Sequence, residues 1–352
     1  EKYIKHIPVI LGHNTQYMNS KNFKEKFTMQ HFSYINKYMS DCNKKNCKIQ
    51  VNQNNNSLKL YYPVPKNLIL SVIIPTKDKV QLLQNCINSI LSKSPGCKVE
   101  VLVINNRSTN KSTYRYLDNL KTKSNQLINF RVINYQKRFN YSAINNHAAK
   151  FCNGDVFLLL NNDIKILTEN WASIISSHAI RKDTGCVGIK LIYPDNTIQH
   201  AGVIIGIYGS AAYSHKNYKS KEPGHAGRLQ KIQEVSAVTG AFLAISKRNW
   251  IKLEGLNERF LPINYNDIDL CLRAKSLDLK NVYIPYIEAI HYESQSRGKP
   301  RGLDFLKWQL ELNYFKLKWK KFIQSDPAYN PMLTLCKEDW SLNLNKFVIR
   351  IR

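Results

Sequence analysis

The sequence predicts an α/β protein built on a mostly parallel sheet flanked by helices. Two observations predict it. From Leu70 onward, short apolar runs alternate with amphipathic stretches at the spacing of βαβ units. Some of those runs also stop abruptly in polar residues, most sharply Val156-Phe-Leu-Leu-Leu160 running straight into Asn161-Asn162-Asp163. In open α/β sheets, ligands bind outside the carboxyl ends of the strands.

Taken in order, residues 1–67 are polar and basic, with helical spacing over 16–39, and form a lead-in in which no chemistry is visible. Leu70-Ser-Val-Ile-Ile-Pro75 reads as a strand stopped by proline. Val80, Leu82, Leu83, Cys86, Ile87, Ile90 and Leu91 then recur at three-four spacing, which predicts a helix. Val99-Glu-Val-Leu-Val-Ile104 is the next strand and ends in Asn105-Asn106-Arg107-Ser108. A helix near 111–121, a strand over 130–134, a helix near 141–151 and the strand over 155–160 follow.

Beyond residue 184 the pattern loosens into an irregular subregion. Residues 187–193 and 198–207 read as strands around the turn Pro194-Asp195-Asn196. The polar stretch 208–231 is long enough to be a lid. Residues 240–246 lead into a helix near 247–254, and Asn266-Asp267 opens another. Short strands are expected at 281–284 and 287–291. Residues 303–323 form a strong helix whose aromatics the pattern assigns mostly to the core, with Lys316, Lys318, Lys320 and Lys321 able to face an anionic surface. These elements divide the chain into a lead-in at 1–67, a main domain at 68–300 and a helical extension at 301–352 packed on it.

Composition narrows the partner. Lys+Arg 52 against Asp+Glu 25 gives +27, which implies nucleic acid, an anionic membrane face or a nucleotide or diphosphate substrate. Hydrophobic content of 43% excludes wholesale disorder, and no apolar run approaches a membrane span. The opening Glu1-Lys-Tyr-Ile-Lys-His6 lacks the apolar stretch of a signal peptide, although an upstream domain or anchor has room before Glu1. The eight cysteines are scattered with no CxxC, as expected of reduced thiols in the cytoplasm.

Neither GxGxxG nor GxxxxGK[ST] occurs, which removes the two commonest reasons for a nucleotide-binding parallel sheet. What remains are polar tips on successive strands: Pro75-Thr76 with Asp78, Asn105-Asn106, and Asn161-Asn162-Asp163. Together they describe a site for a base, a ribose and a metal-bound diphosphate. Asp163 offers a hard oxygen to Mg²⁺ or Mn²⁺. Asp267 is either a helix cap or, at a cleft, a general base, and Asp269 stands i, i+4 from Arg273. His291 ends an apolar strand, as a structural residue or as one imidazole for a metal, and Arg297 can clamp phosphate.

At this point the chain resembles a known family. SVIIPTKD (71–78), FNYSAINN (139–146), FLLLNND (157–163), LIYPDNTIQHAGVIIG (191–206), GRLQKIQEVSAVTGAFLAI (227–245), NDIDLCLRA (266–274), HYESQSRG (291–298) and DPAYNPMLTL (326–335) are similar, in order, to family 2 glycosyltransferases of GT-A fold. The subgroup it looks like is that of O-antigen or rhamnan biosynthesis. The resemblance implies an inverting, metal-dependent hexosyl- or rhamnosyltransferase, moving sugar from a UDP- or dTDP-type donor to a hydroxyl of a glycan or lipid-linked acceptor. It implies work at the inner face of the membrane, with possible fusion to other transferase domains, and it sets nucleic acid aside as a partner. A non-catalytic nucleic-acid-binding protein and an inactive sugar-nucleotide binder are the rival readings.

Carried over, Asp163 is the last residue of the DxD-like metal motif, His291 joins the metal shell and Asp267 is the catalytic base. Thr76, Asp78, Asn105 and Asn146 fall where the family holds base and ribose, with Pro75, Asn106, Asn161, Asn162 and Arg297 completing the donor set. Gly240 and Ala241 flank the donor–acceptor junction, with His200 of the QHAG segment and Asp269 beside them. Two departures matter: Asn105 stands where the family has Asp, and Asn161 replaces the first DxD carboxylate. A single carboxylate predicts weak metal affinity without the donor diphosphate.

Overall fold

The computed structural model describes residues 32–37, 47–52, 57–293 and 302–343. Arg297 and most of the 1–67 lead-in lie outside the described residues. Within the lead-in, 32–37 is helical. An antiparallel ribbon of β1 (Lys48–Asn52) and β2 (Ser57–Tyr61) follows, which the sequence reading did not anticipate.

Strands β3 (Ile69–Thr76), β4 (Lys98–Asn105), β5 (Ile128–Asn134), β6 (Val156–Leu160) and the short β7 (Ile164–Ile166) build the first half of the sheet. The second half comes from β8 (Thr184–Ile192), β9 (Ile198–His200), β10 (Val203–Ile205), β11 (Ala211–Tyr213), β12 (Gln233–Val235), β13 (Phe242–Ser246) and β14 (Lys280–His291). The sheet order is β12-β14-β8-β13-β6-β3-β4-β5, with β7 on β14, β9 on β8, and β10 and β11 in a ribbon of their own. Strands β5, β4, β3 and β6 pair in parallel. Strand β13 is antiparallel to both of its neighbours, and β14 is parallel to β8. The reversal of β13 has a functional consequence: it brings the start of that strand to the edge where β3, β4, β6 and β14 end.

Helices α1 (Val80–Ser92), α2 (Lys111–Asp118), α3 (Tyr141–Ala149), α4 (Trp171–Ala179), α5 (Lys247–Lys252) and α6 (Asn266–Lys275) connect these strands, and α7 (Leu303–Lys318) and α8 (Lys320–Gln324) follow them. The period-two alternation of each strand divides the core between the two faces of the sheet. Val72, Ile74, Val101, Val103, Leu158 and Leu160 join α1 and α4 on one face. Ile73, Leu102, Ile104, Phe157 and Leu159 join Ile144 and Trp250 on the other. Asn140 caps α3 by accepting from the Ala143 N–H at 2.8 Å.

Several elements differ from their sequence reading. The two short strands expected at 281–284 and 287–291 are one strand, β14, whose register slips between Ile284 and Glu288, around Pro285. The strand expected over 198–207 breaks at Gly202 (φ +92°), so β9 and β10 take different partners. The stretch 208–231 is tied down instead of hanging free, because β11 pairs with β10 and Trp340 donates to Ser214 Oγ at 2.7 Å. The helix at 303–323 divides at Trp319; its aromatics are mostly in or against the core, with Trp319 buried and Tyr314 and Phe322 packed beside it, but its leucines are not. Phe315 is fully buried, but Leu303, Leu310 and Leu317 are 75%, 69% and 80% exposed.

Candidate active site

The shared edge opens into a cleft of about 1000 Å³, whose walls include Thr76, Asp78, Asn106, Asn161, Asp163, Gly240, Asp267 and His291. At its centre is the turn after β6. Asn161 N–H donates to Ala241 O (3.0 Å), and Asn162 Nδ2 donates to Thr76 Oγ1 (3.1 Å). Asp163 is thereby turned inward and is only 5% exposed. Its Oδ1 accepts no hydrogen bond and stands 3.2 Å from His291 Nε2.

The protonation of His291 follows from its neighbours. Tyr193 Oη and Gln199 Nε2 both donate to Glu293 Oε2, at 2.8 and 3.0 Å. A carboxylate only accepts, so the Gln199 amide must turn its NH₂ to Glu293 and its Oε1 to His291 Nδ1, 2.9 Å away. Nδ1 therefore carries a proton, and Nε2, with Asn161 Nδ2 3.5 Å away, faces a carboxylate oxygen that accepts no hydrogen bond. Two buried acceptors at this spacing are about as far apart as adjacent ligands of a Mg²⁺-sized cation, roughly 3 Å. The pair can hold a divalent metal. Among the described residues no third His, Cys, Asp or Glu joins it in a cluster.

On the donor side, Pro75, Thr76, Asp78 and Asn106 line the cleft. Asp78 and Lys79 both take left-handed backbone (φ 50° and 49°), which turns the chain sharply off β3. Asp78 Oδ1 accepts from the Thr109 and Asn110 N–H groups, each at 2.9 Å. Desolvation disfavours its charge, but these N–H donors outweigh that and hold its carboxyl below the usual range.

Across the cleft, Asp267 sits in the first turn of α6. Its Oδ2 accepts from Gly240 N–H at 2.6 Å and its Oδ1 from Ile268 N–H at 2.8 Å. Burial pushes its pKa up, and these bonds only partly offset the push, which is the direction a general base needs. A Cβ on Gly240 would lie 3.3 Å from that of Asp267, so a side chain there would press the two apart by a few tenths of an ångström. Tyr141 Oη donates to Gly240 O at 2.8 Å and holds the same turn from the α3 side.

Four residues read as site members do not line this cleft. Asn105 lies beneath it, donating to Asn134 Oδ1 (3.0 Å) and accepting from Ser108 N–H (3.2 Å). Asn146 is committed to the backbone of Leu256 and to Glu258, beside a separate cavity of about 620 Å³. His200 is fully buried behind Thr239. Asp269 is also fully buried; it accepts from Arg273 Nε at 2.8 Å, Lys318 Nζ at 2.7 Å and Trp319 Nε1 at 2.9 Å. The i, i+4 partner expected of it is present, but its larger role is to fasten α7 to the helix that carries Asp267. Conversely, Gln199, Glu293 and Thr239 serve the site without having been singled out, although each lies within a stretch that carries the family resemblance.

The fastening predicts a measurable loss. Asp269→Ala leaves two cations and an indole N–H without their acceptor, and stability should fall by about 3 kcal/mol. For a domain of this size that lowers the melting temperature by roughly 5 °C. An unchanged thermal melt would show that Asp269 fastens nothing.

A mostly parallel sheet in which β13 and the short β7, β9 and β12 run the other way, with a carboxylate–imidazole pair at its edge and a second carboxylate facing it, has the GT-A glycosyltransferase fold. The fold is shared with the crystal structure of GalNAc-T7 with UDP, GalNAc and Mn²⁺, at TM-score 0.53 and 15% identity over 77% of this chain and 60% of that one. Residues 71–248, half of the chain, match the family model Glycosyl transferase family 2. The chain belongs to that family. Two curated relatives are similar to it. An uncharacterized protein, y4gI, of Sinorhizobium fredii (strain NBRC 101917 / NGR234) is 35% identical over 294 residues, 83% of this chain and 32% of its own length. The O-antigen biosynthesis protein RfbC of Myxococcus xanthus is 32% identical over 286 residues, 80% and 21% respectively. The chain thus spans about a third and a fifth of these relatives.

Proposed function

We propose that the protein transfers a sugar, with inversion, from a UDP- or dTDP-type donor to a hydroxyl of a glycan or lipid-linked acceptor in surface-polysaccharide biosynthesis. The observation that carries this reading is the unpartnered Asp163 Oδ1 facing His291 Nε2 at 3.2 Å, with the Asp267 carboxylate across the same cleft. Bound there, Mn²⁺ or Mg²⁺ would neutralise charge on the leaving diphosphate. The chain's own residues do the rest. Thr76, Asp78 and Asn106 border the base and ribose. Asp267 takes the acceptor hydroxyl proton while that oxygen bonds to the anomeric carbon and the bond to the diphosphate oxygen breaks. One base suffices, and no covalent nucleophile is needed.

Similarity to the O-antigen biosynthesis protein supports the acceptor class. The place of action we propose is the inner face of the cytoplasmic membrane. The charge of +27 and the exposed leucines of α7 support an anionic lipid surface as partner, and no helix among the described residues is long and apolar enough to cross a membrane. Vesicles containing phosphatidylglycerol should therefore sediment the protein at low salt and release it at high salt, while phosphatidylcholine vesicles should not. Equal binding to both, or to neither, removes the surface from the account. The donor is identified by measuring nucleotide diphosphate released from UDP-, GDP- and dTDP-sugars. One nucleotide class should dominate and should need divalent metal, and release that persists in EDTA would refute the metal.

A further inference from the structure

Strand β9 carries two adjacent residues whose side chains reach opposite ends of the site. Gln199 accepts from His291 Nδ1 at 2.9 Å. His200 lies fully buried between two backbone groups: its Nδ1 meets Ile189 O at 3.1 Å, and its Nε2 meets Thr239 N–H at 3.2 Å. A carbonyl only accepts and an amide N–H only donates, so His200 must carry its proton on Nδ1 and accept at Nε2. Its desolvation pushes the pKa down to about 4, so the ring stays neutral and this pattern persists at working pH. The residue that His200 holds, Thr239, precedes Gly240, whose N–H donates to Asp267.

We propose that the Gln199-His200 dipeptide is the positioning device of the whole site. Gln199 keeps the His291 proton on Nδ1 so that Nε2 stays open toward Asp163, and His200 keeps the Thr239–Gly240 backbone aimed at Asp267. The inference rests on Asp163 and His291 as the metal side and Asp267 as the base side. The physical need is a competition. With Asp163 Oδ1 only 3.2 Å from Nε2, the carboxylate attracts the imidazole proton to Nε2, where an N–H···O bond would close the metal seat. An acceptor on Nδ1 reverses that choice. Gln199 is an effective acceptor because its amide cannot flip: Glu293, held in turn by Tyr193, takes only donors. Both residues sit on a three-residue strand that pairs with β8, with His200 opposite Leu191, so one short element registers two groups across the cleft.

The test uses the complete chain with ¹⁵N-labelled histidine. In metal-free wild type, His291 and His200 should both show the Nδ1–H tautomer. In Gln199→Leu, His291 should move toward Nε2–H and Mn²⁺ affinity, measured with UDP present, should fall by roughly 10- to 100-fold. Glu293→Gln, which removes the obligatory acceptor but keeps the shape, should shift the tautomer partway. In His200→Phe, the Gly240 amide resonance should lose the downfield shift of its bond to Asp267 while Mn²⁺ affinity is unchanged, and His200→Gln, which can both donate and accept, should restore it. An Nδ1–H tautomer of His291 that survives Gln199→Leu overturns the proposal, as does a Gly240 amide indifferent to His200→Phe. The NMR readouts need neither metal nor donor. A chain that shows both tautomer effects and yet turns over no donor therefore supports the positioning and counts against the transferase reading alone.

Discussion

Asp267→Asn is expected to lower turnover by roughly 10³-fold while leaving donor binding within about twofold of wild type. The amide keeps the shape and can still accept from Gly240 N–H through its carbonyl, so the turn from Thr239 to Ala241 should stay in place. What disappears is a buried carboxylate of the cleft whose pKa is raised by burial. The wild-type rate should accordingly rise with pH through a limb above the ordinary carboxylate range, because the base works only when ionised. That limb should be missing from whatever activity Asp267→Asn retains. Unchanged turnover would remove Asp267 from its role.

Asp163→Asn is expected to act at the other end. Asn161 already stands where the family has the first carboxylate, so Asp163 brings the single negative charge of the motif. Replacing it should cut turnover by roughly 10²- to 10³-fold at limiting Mn²⁺. It should also weaken Mn²⁺-dependent nucleotide binding, and high metal concentration should recover part of the loss. The contrast with Asp267→Asn is the informative part: one variant loses chemistry with binding intact, the other loses binding that added metal can restore. Titrating Mn²⁺ into both variants with UDP or dTDP present separates them.

Much of this arrangement is legible in the sequence because buried parallel strands advertise themselves. Val101–Ile104 and Val156–Leu160 are apolar runs that read as strands between two helical layers, and their polar ends mark the sheet edge. The reversed direction of β13 is not legible, since a buried strand reads the same either way. The unity of β14 is hidden by Pro285, which resembles a break and is absorbed by a slip in register. Asp269 shows where single-residue reading runs out. Its spacing from Arg273 is evident, but the face it turns to, and the arrival of Lys318 and Trp319, depend on how α7 packs.

The chain from Tyr193 through Glu293 and Gln199 to His291 is harder still. Gln199 is separated from Glu293 by 94 positions and from His291 by 92. No local pattern announces it, because its logic is hydrogen-bond direction and not residue spacing. The leucines of α7 mislead for the opposite reason. Apolar residues at helical spacing predict a buried face, and here Leu303, Leu306, Leu310 and Leu317 are exposed while Phe315 and Trp319 are buried.

The central claim is that Asp163 and His291 form a metal seat for a nucleoside diphosphate in a transferase cleft, and one thermal-shift series tests it most directly. The protein is melted with UDP or dTDP, with and without Mn²⁺, alongside Asp163→Asn and alongside an oligonucleotide. The account predicts stabilisation by nucleotide and Mn²⁺ together, little by either alone, and none in the variant. No shift with nucleotide and metal, beside a large salt-sensitive shift with the oligonucleotide, would contradict it and assign the basic charge to nucleic acid instead.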